Sequence, residues 1–349
     1  MRETMQALLK PAAGPGFDLR TVPVPRPGPQ EVLVRVHAVG ICGTDLHIDE
    51  WDAWAAAHVQ PPRVIGHEFC GTIVEVGPEA HGIATGDFIA GECHVNCGRC
   101  HVCRRGNGHL CTRLQIIGVD RDGAFAEYVV LPARNAWPLS PAIPREVAAI
   151  MDPFGNAVHT ALATELTSRS VVVMGCGPIG LCAILIAQRA GASPIVAVDV
   201  NPYRLGLAAR LGADRVVDAG TEDVAGVVWA LTDGEGADVL LEFSGSPEGF
   251  HAGLAALHNG GFAALLGLPH RPFEVDLAND IVFKGLHLQG IFGRRLWETW
   301  YQATALLAAG LDLRPVVTHR LPLARFREAF DLMRTGACGK VILAIDETG

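Results

Sequence analysis

Residues 171–180 read Val-Val-Val-Met-Gly-Cys-Gly-Pro-Ile-Gly, an apolar run followed directly by a glycine-rich turn. The run is typical of a strand buried on both faces of a parallel sheet. The stretch 179–190 after the turn predicts a helix, and Gly191 is a suitable residue to end it. The G-x-G-x-x-G spacing between them is formed by Gly175, Gly177 and Gly180. In this context the spacing predicts a dinucleotide-binding turn, whereas by itself it suits any structural turn.

The next strand supports the same interpretation. It is predicted over 195–198, and Asp199 stands at its end, 19 residues after Gly180. A carboxylate there accepts hydrogen bonds from the ribose hydroxyls of an adenosine and repels a 2′-phosphate, which favours NAD over NADP. Arg204 suits either a contact with the adenine or a solvated helix surface. Helix and strand patterns alternate up to about residue 290, which predicts a parallel sheet of βαβ units.

The outer parts of the chain follow a different pattern. Short strands, typical of an irregular β-domain, are predicted over 31–39, 71–76 and 125–131. Beyond residue 290 we predict two helices and a last strand, over 297–309, 323–335 and 341–345. A domain whose ends lie close together can be inserted into another domain. We therefore predict a catalytic domain from residues 1–148 and 291–349, and a cofactor domain from residues 149–290.

Length and composition agree with two globular domains. The chain has 349 residues, of which 49% are hydrophobic and 19% charged, so general disorder is excluded. The net charge of −9 argues against a protein that binds nucleic acid or an anionic membrane. No apolar run has the roughly 18 residues of a membrane span, and the first residues lack a signal-peptide pattern. A cytoplasmic location is expected.

Five of the ten cysteines fall between residues 93 and 111. Four of them form a C-x-x-C-x-x-C-x7-C pattern: Cys97, Cys100, Cys103 and Cys111. Four thiolates at this spacing favour a tetrahedral zinc site, which would be structural because no position is left open. An iron–sulfur cluster uses the same ligands and stays an alternative. The spare donors nearby are Cys93, His94, His101 and His109.

A second set of donors is dispersed along the first third of the chain. It comprises Cys42, Thr44, Asp45, His47, His67 and Glu68. Cysteine, histidine and carboxylate are the donor types that bind a catalytic zinc and leave one position for substrate. Taken singly, a buried cysteine or histidine is more often a packed or hydrogen-bonded residue.

These motifs together resemble the zinc-dependent medium-chain alcohol dehydrogenases. The matching pattern is Gly66-His67-Glu68-x-x-Gly71-x5-Gly77, with Cys42-Gly-Thr-Asp, the four-cysteine lobe and the glycine turn. The resemblance implies an α/β protein in which a GroES-like β-rich catalytic domain carries an inserted Rossmann domain, a doubly wound parallel sheet. It also implies NAD, two zinc ions per chain and a homotetramer.

The resemblance further implies roles for single residues. It places the catalytic zinc on Cys42, His67 and Glu68, with Asp152 beside it, and the structural zinc on the four cysteines. Thr44 and His47 match the proton relay of the family. The positions that match NAD contacts, besides the three glycines, are Ile179, Asp199, Arg204, Leu266, Gly267, Leu268, Ile291 and Phe292.

Longer segments narrow the resemblance to the branch of the family that acts on L-threonine. They are residues 47–54, 152–161, 290–301 and 339–343. They imply oxidation of L-threonine at C3 to L-2-amino-3-oxobutanoate and coupling to a 2-amino-3-oxobutanoate CoA ligase. Zinc would lower the pKa of the substrate hydroxyl, and hydride would pass to the nicotinamide. The departures from that branch are Met151 and residues 114–116.

Other functions fit parts of the same pattern. A dehydrogenase for sorbitol, 2,3-butanediol or another secondary alcohol would share every zinc and NAD residue. A non-enzymatic zinc protein would use the arginines of the lobe, Arg99, Arg104 and Arg105, to bind nucleic acid or a partner. A catalytically inactive relative is a third alternative. Trp51, Asp52 and Trp54 are candidates for binding the amino and carboxylate groups of the substrate, or packing residues of a loop.

Overall fold

The computed structural model describes residues 2–345 and divides the chain into two compact units. The first unit contains the chain up to Asp152, Val317–Thr335 and the chain from Lys340, and the second contains Pro153–Val316 and Gly336–Gly339. Compared with the predicted boundaries, residues 149–152 lie in the first unit and residues 291–316 in the second. Contacts within the second unit explain the latter difference, because Ile291 N donates to Leu265 O at 2.8 Å and His159 Nδ1 bonds to Gly293 O at 2.8 Å.

The strands of the described residues follow the chain in this order: β1 (Thr4–Lys10), β2 (Asp18–Pro23), β3 (Glu31–Gly40), β4 (Arg63–Val64), β5 (Glu68–Val76), β6 (Phe88–Gly91), β7 (His94–Val95), β8 (Gln115–Ile116), β9 (Tyr128–Pro132), β10 (Ala136–Pro138), β11 (Val171–Met174), β12 (Ile195–Asp199), β13 (Arg215–Asp218), β14 (Ala237–Glu242), β15 (Leu257–Leu265), β16 (His287–Gly290), β17 (Val317–Pro322) and β18 (Lys340–Ala344).

The α-helices are α1 (Gly43–Glu50), α2 (Ala53–His58), α3 (His101–Arg104), α4 (Arg145–Ala148), α5 (Met151–Ala161), α6 (Pro178–Arg189), α7 (Pro202–Arg210), α8 (Val224–Leu231), α9 (Pro247–Ala256), α10 (Glu298–Ala308) and α11 (Phe326–Thr335). A π-helical segment covers Leu277–Val282. Within residues 2–345, no helix combines the length and apolar character needed to cross a membrane.

The first unit is built on a mostly antiparallel sheet. Its strand order is β10-β6-β5-β3-β18-β17, and β9 also pairs with β3. Only β17 and β18 run parallel in this sheet of the described chain. The central strand β3 is buried over nearly its whole length, and other strands pair with it on both edges. Smaller sheets are formed by β2-β1-β4 and by β7-β8.

The second unit is a parallel sheet in the order β13-β12-β11-β14-β15-β16. Counted from β11, this is the order 3-2-1-4-5-6 of the doubly wound dinucleotide fold. In that order the direction in which successive strands are added to the sheet reverses between β11 and β14, and ligands of this fold bind at the carboxyl ends of the strands there. The predicted α/β fold class is therefore confirmed.

The strands and helices predicted individually in the second unit agree with the structure to within one residue at each end; they are β11, α6, β12 and α10. Two differences concern strand limits. The predicted strand 125–131 begins only at Tyr128, because Phe125 bonds to Leu8 and Ile65 instead of to β3. The other difference is β16, a sixth strand of the sheet at residues 287–290, where no single strand was predicted.

Candidate active site

The four-cysteine lobe lies between β7 and β8. The sulfur atoms of Cys97, Cys100, Cys103 and Cys111 all lie within 4.8 Å of one another. Cys100 Sγ is 3.4 Å from Cys103 Sγ and 3.9 Å from Cys111 Sγ. Zn–S bonds of about 2.3 Å in a tetrahedron imply S···S distances of about 3.8 Å. The geometry therefore fits the predicted four-thiolate site.

Backbone N–H groups in the lobe favour thiolates. The pKa of Cys100 is lowered to about 5, chiefly by a hydrogen bond from the backbone N–H of Cys103. The pKa of Cys97 is lowered to about 7, chiefly by a hydrogen bond from the backbone N–H of Arg99. Burial raises the pKa of Cys103 to about 12. Two thiolates repel each other, and a cation bound among the sulfur atoms removes that penalty. Of the spare donors, Cys93 and His94 lie outside the group and form another with Glu92.

The second predicted donor set comes together in the first unit. One ligand atom each from Cys42, His67 and Glu68 lies within 4.8 Å of the others. Cys42 precedes α1, and its N–H donates to Asp45 Oδ2 at 2.8 Å, which closes the first turn of the helix. His67 follows Gly66, whose φ is +92°. A side chain at Gly66 would also meet the Phe125 ring, with its Cβ at 2.4 Å, so only glycine fits there.

The charges around His67 favour a cation. Burial lowers the pKa of His67, but the negative charges of Cys42, Asp45 and Asp152 outweigh this and raise the pKa to about 10. Burial raises the pKa of Asp45, which is fully enclosed, to about 6. A buried positive charge is thus stabilised at the imidazole. A zinc ion on Cys42 and His67 would meet the same anionic surroundings.

Glu68 has a buried partner that the sequence did not reveal. Lys340 Nζ lies 2.7 Å from Glu68 Oε1 and 2.5 Å from Oε2, and it also donates to Ile41 O at 2.7 Å. Both side chains are almost fully buried. Burial is the largest influence and lowers the pKa of Lys340, but the charges of Glu68, Cys42 and Asp45 and the hydrogen bond to Glu68 together outweigh it, so the net change in the pKa is upward. One feature of the sequence could have indicated that Lys340 has a buried partner: this charged residue begins the otherwise apolar strand Lys-Val-Ile-Leu.

Asp152 lies in the first turn of α5 and is buried. Cys93 Sγ donates to its Oδ2 at 3.1 Å. Next to Cys93, the ring Nδ1 of His94 lies 2.8 Å from Glu92 Oε1. Because Asp152 also acts electrostatically on His67, the structure brings it to the Cys42–His67 group, together with Cys93.

The predicted relay residues lie on α1. Thr44 Oγ1 is 3.7 Å from Cys42 Sγ. His47 Nδ1 is 2.6 Å from Asp52 Oδ2. Asp52, which the sequence made a candidate for binding the substrate, therefore has His47 as a partner. Trp51 lies under Lys10, whose Nζ is 4.9 Å from the ring centre, which supports the packing interpretation for Trp51. Trp54 is 36% exposed.

The glycine turn of the second unit has the properties of a phosphate-binding turn. A Cβ at Gly180 would lie 1.9 Å from Gly175 O, so the turn and α6 need glycine to approach each other. At Gly177 a Cβ would meet nothing within 4 Å, so this side of the turn is open. Gly177 precedes α6 without a side-chain cap, and the first N–H groups of the helix are available to an anion.

The other predicted NAD positions lie near the same edge of the sheet. Asp199 ends β12, and Arg204 Nε, within the described part of the chain, is buried without a hydrogen-bond partner. Residues 266–268 follow β15, and residues 291–292 follow β16. Leu268 is 82% exposed and Phe292 47%, whereas Ile291 is buried. Glu242, which the sequence did not single out, accepts the N–H groups of Ser244 and Gly245 and shapes the turn after β14.

Comparison with known proteins identifies the class. Residues 28–141 match the alcohol dehydrogenase GroES-like domain, and residues 178–309 match the zinc-binding dehydrogenase domain. The chain belongs to the zinc-dependent medium-chain alcohol dehydrogenase family, as the motifs predicted. Among curated proteins, it is 51% identical to an L-threonine 3-dehydrogenase of Symbiobacterium thermophilum over 99% of both chains. It is 46% identical to that of Pyrococcus horikoshii over 99% of this chain and 100% of the other.

Solved structures agree with the fold. A zinc-binding dehydrogenase from Sinorhizobium meliloti bound to NADP has a TM-score of 0.89 at 30% identity, over 99% of this chain and 100% of the other. An alcohol dehydrogenase from Thermus sp. ATN1 has a TM-score of 0.88 at 32% identity, over 97% and 99% of the two chains. The predicted enzyme class, a zinc-binding dehydrogenase, is confirmed.

Proposed function

We propose that this protein oxidises L-threonine at C3 with NAD and forms L-2-amino-3-oxobutanoate, a step of threonine breakdown toward glycine. One observation carries the proposal: a Cys42–His67–Glu68 group, in which His67 and Glu68 are buried and Cys42 is half-buried, occurs with Asp152 beside it in a chain that matches an L-threonine 3-dehydrogenase over 99% of its length. The group has the donor types of a catalytic zinc site. Coupling to a 2-amino-3-oxobutanoate CoA ligase would consume the product.

The metal roles follow from the donors. Cys42 and His67 would hold the catalytic zinc, and Glu68 or Asp152 would add a carboxylate. Bound there, zinc supplies a Lewis acid that lowers the pKa of the substrate hydroxyl. Lys340 balances the charge of Glu68, and Cys93 orients Asp152. The four cysteines of the lobe would hold a second, structural zinc, which makes two ions per chain.

The proton leaves through two side chains of α1. The Thr44 hydroxyl, next to Cys42, accepts the proton of the alcohol and passes its own outward. His47, whose side chain is 39% exposed, delivers a proton to solvent. NAD supplies the acceptor for the hydride when bound. The open glycine turn binds its pyrophosphate, and Asp199 binds its ribose hydroxyls and excludes NADP.

Assembly and location are part of the same proposal. We infer a homotetramer, supported by the exposed edge strand β16 and apolar side chains near it, and a cytoplasmic location. None of the ten cysteines, all of which lie within residues 2–345, forms a disulfide, as is usual in a reducing compartment.

A substrate panel tests the proposed function. Initial rates of NAD reduction are measured with L-threonine, L-serine, sorbitol and 2,3-butanediol, with Cys42→Ser as the inactive control. We expect the highest kcat/KM for L-threonine. A higher value for sorbitol or 2,3-butanediol would assign the chain to the secondary-alcohol alternative, and no activity with any of them would contradict both.

A further inference from the structure

The carboxylate of Asp52 holds the His47 side chain. The two side chains meet with Nδ1 and Oδ2 2.6 Å apart. On the basis of the proposed function, we propose that Asp52 is a positioning residue of the proton relay. Its carboxylate fixes the His47 ring so that Nδ1 carries the hydrogen and Nε2 accepts the proton that leaves the substrate.

The carboxylate is itself fixed in place. Asp52 is the N-cap of α2, and its Oδ1 accepts the N–H of Ala55 at 2.9 Å. The N–H of Ala55, and then the His47 ring, hold the pKa of Asp52 below its usual range. Asp52 is therefore ionised at neutral pH, and an ionised carboxylate can only accept hydrogen bonds. It follows that Nδ1 of His47 donates and that Nε2 is the basic nitrogen.

The backbone brings the two residues together. Helix α1 ends at Trp51, which has a φ of +57°, and the N–H groups of Trp51 and Asp52 both donate to His47 O. This turn directs the Asp52 side chain back toward the His47 ring. Lys10 lies over the Trp51 ring and donates to Asp49 O at 3.4 Å, which ties the turn to β1.

Other charged groups near the turn have partners of their own. Arg334, on α11, pairs with Asp49 and lies 3.7 Å from Glu50. His58, at the end of α2, bonds through Nδ1 to Trp54 O at 2.7 Å. The Trp54 ring lies between the two histidines, 6.3 Å from His47 and 4.9 Å from His58.

The arrangement gives Asp52 a defined part in the proton transfer. Nε2 takes up one proton, the imidazolium that forms is stabilised by the carboxylate at Nδ1, and Nε2 then releases one proton to water. Asp52 stays ionised throughout, as the orienting carboxylate does in histidine-based catalysis. The competing role for Asp52 is an ion pair with the ammonium group of the substrate.

A double-mutant cycle separates these roles. Asp52→Asn removes the charge but keeps a good N-cap for α2. We expect kcat to fall about 10-fold, the solvent deuterium isotope effect on kcat to increase, and the KM for the amino acid and for NAD to change less than twofold. In the His47→Asn background the same change should have almost no effect, because the relay is already lost. Asp276→Asn, at a second N-cap where the carboxylate bonds to Asn279, is the matched control.

Two kinetic results would overturn the proposal. One is an unchanged kcat and isotope effect in folded Asp52→Asn. The other is an Asp52→Asn change that raises the KM for the amino acid by the same factor in the wild-type and the His47→Asn background. That result would assign Asp52 to the ammonium group of the substrate.

NMR of ¹⁵N-labelled histidine gives a readout without substrate. We expect His47 in the Nδ1–H form, and a mixture of tautomers in Asp52→Asn; an Nε2–H form in the wild type would also overturn the proposal. If the substrate panel favours another alcohol, that alcohol is used as the substrate in the double-mutant cycle. Failure of the threonine assignment can then be told apart from failure of the role proposed for Asp52.

Discussion

Asp199 has two kinds of partner at the end of β12. Its Oδ2 accepts the N–H of Cys176, inside the glycine turn, at 2.7 Å, and its Oδ1 accepts the N–H groups of Val200 and Asn201 at 2.8 Å. The carboxylate therefore joins the glycine turn to the residues that follow β12. Its charge is what would exclude a 2′-phosphate.

The first prediction concerns this carboxylate. Asp199→Ser removes hydrogen bonds to a charged group, each of about 1.5–3 kcal/mol, and we expect kcat/KM for NAD to fall about 10- to 100-fold. The value for NADP should stay constant or rise, because the repulsion is lost. Steady-state kinetics with both cofactors measures the ratio. A wild-type enzyme that uses NAD and NADP equally well would contradict the role of Asp199.

The second prediction concerns the buried pair Lys340–Glu68. Removal of one partner leaves an uncompensated buried charge, so we expect Lys340→Met to lower the free energy of unfolding by about 3–5 kcal/mol. Adding Glu68→Gln should restore most of the loss. Arg20→Met, which removes an exposed ion pair with Asp18, is the control and should cost less than about 1 kcal/mol. Urea unfolding measures all four proteins, and equal losses for Lys340→Met and the control would refute this account.

At the scale of elements, we expect the four-cysteine lobe to depend on a bound metal ion. Its helix, α3, has four residues and none of them is buried. The third prediction is that Cys103→Ser lowers the zinc content from two ions to one per chain and lowers Tm. Cys182→Ser, a change of a buried cysteine on α6, should keep both ions. Metal analysis of the purified proteins measures the number of zinc ions per chain. Iron in the wild-type lobe would establish the iron–sulfur alternative instead.

Asp238 joins two neighbouring strands of the second unit. Its carboxylate accepts Ser170 N at 2.9 Å, Ser170 Oγ at 2.7 Å and Arg169 Nη1 at 2.7 Å, which connects the start of β11 to β14. Burial raises the pKa of Asp238, but these hydrogen bonds outweigh it and lower the pKa to about 2.

The fourth prediction follows from the sign of that shift. A carboxyl with a lowered folded-state pKa stabilises the protein above its unfolded pKa of about 3.9, and the contribution disappears as the pH falls toward 2. Asp238→Asn should therefore destabilise the protein at pH 7, and the difference from wild type should shrink below pH 4. Denaturant midpoints across this range test it. A difference independent of pH would show that charge is not the cause.

At the scale of the whole molecule, β16 is the last strand of its sheet. Large apolar side chains in the segment that precedes it in the chain are exposed: Leu277 by 63%, Val282 by 61% and Phe283 by 77%. Exposed apolar patches next to an unpaired strand edge mark interaction surfaces.

The fifth prediction is that the chain is a tetramer by light scattering and that Phe283→Asp reduces its mass. Leu231→Asp, at an exposed apolar residue that ends α8, is the control and should leave the mass unchanged. A monomeric wild type would contradict the proposed assembly.

Local physics explains what could be predicted from the sequence alone. The strand–turn–helix at residues 171–189 follows from an apolar run, glycine freedom and helix periodicity, all of which act over a few neighbouring residues. The four cysteines are close in the chain, so their spacing was sufficient to predict their grouping. The dispersed group of Cys42, His67 and Glu68 was predicted through the family resemblance, because short motifs persist within a family.

Only the tertiary structure decided the partners of these residues. Glu68 and Lys340 are 272 residues apart, and Cys93 and Asp152 are 59 apart. Buried polar groups must be paired, but the requirement does not specify which distant residue serves as partner. That choice depends on which strands become neighbours, β18 beside β3 in the case of Lys340. Asp52 is close to His47 in sequence, yet their contact depends on the turn at Trp51, because a left-handed residue that is not glycine leaves no reliable pattern in the sequence.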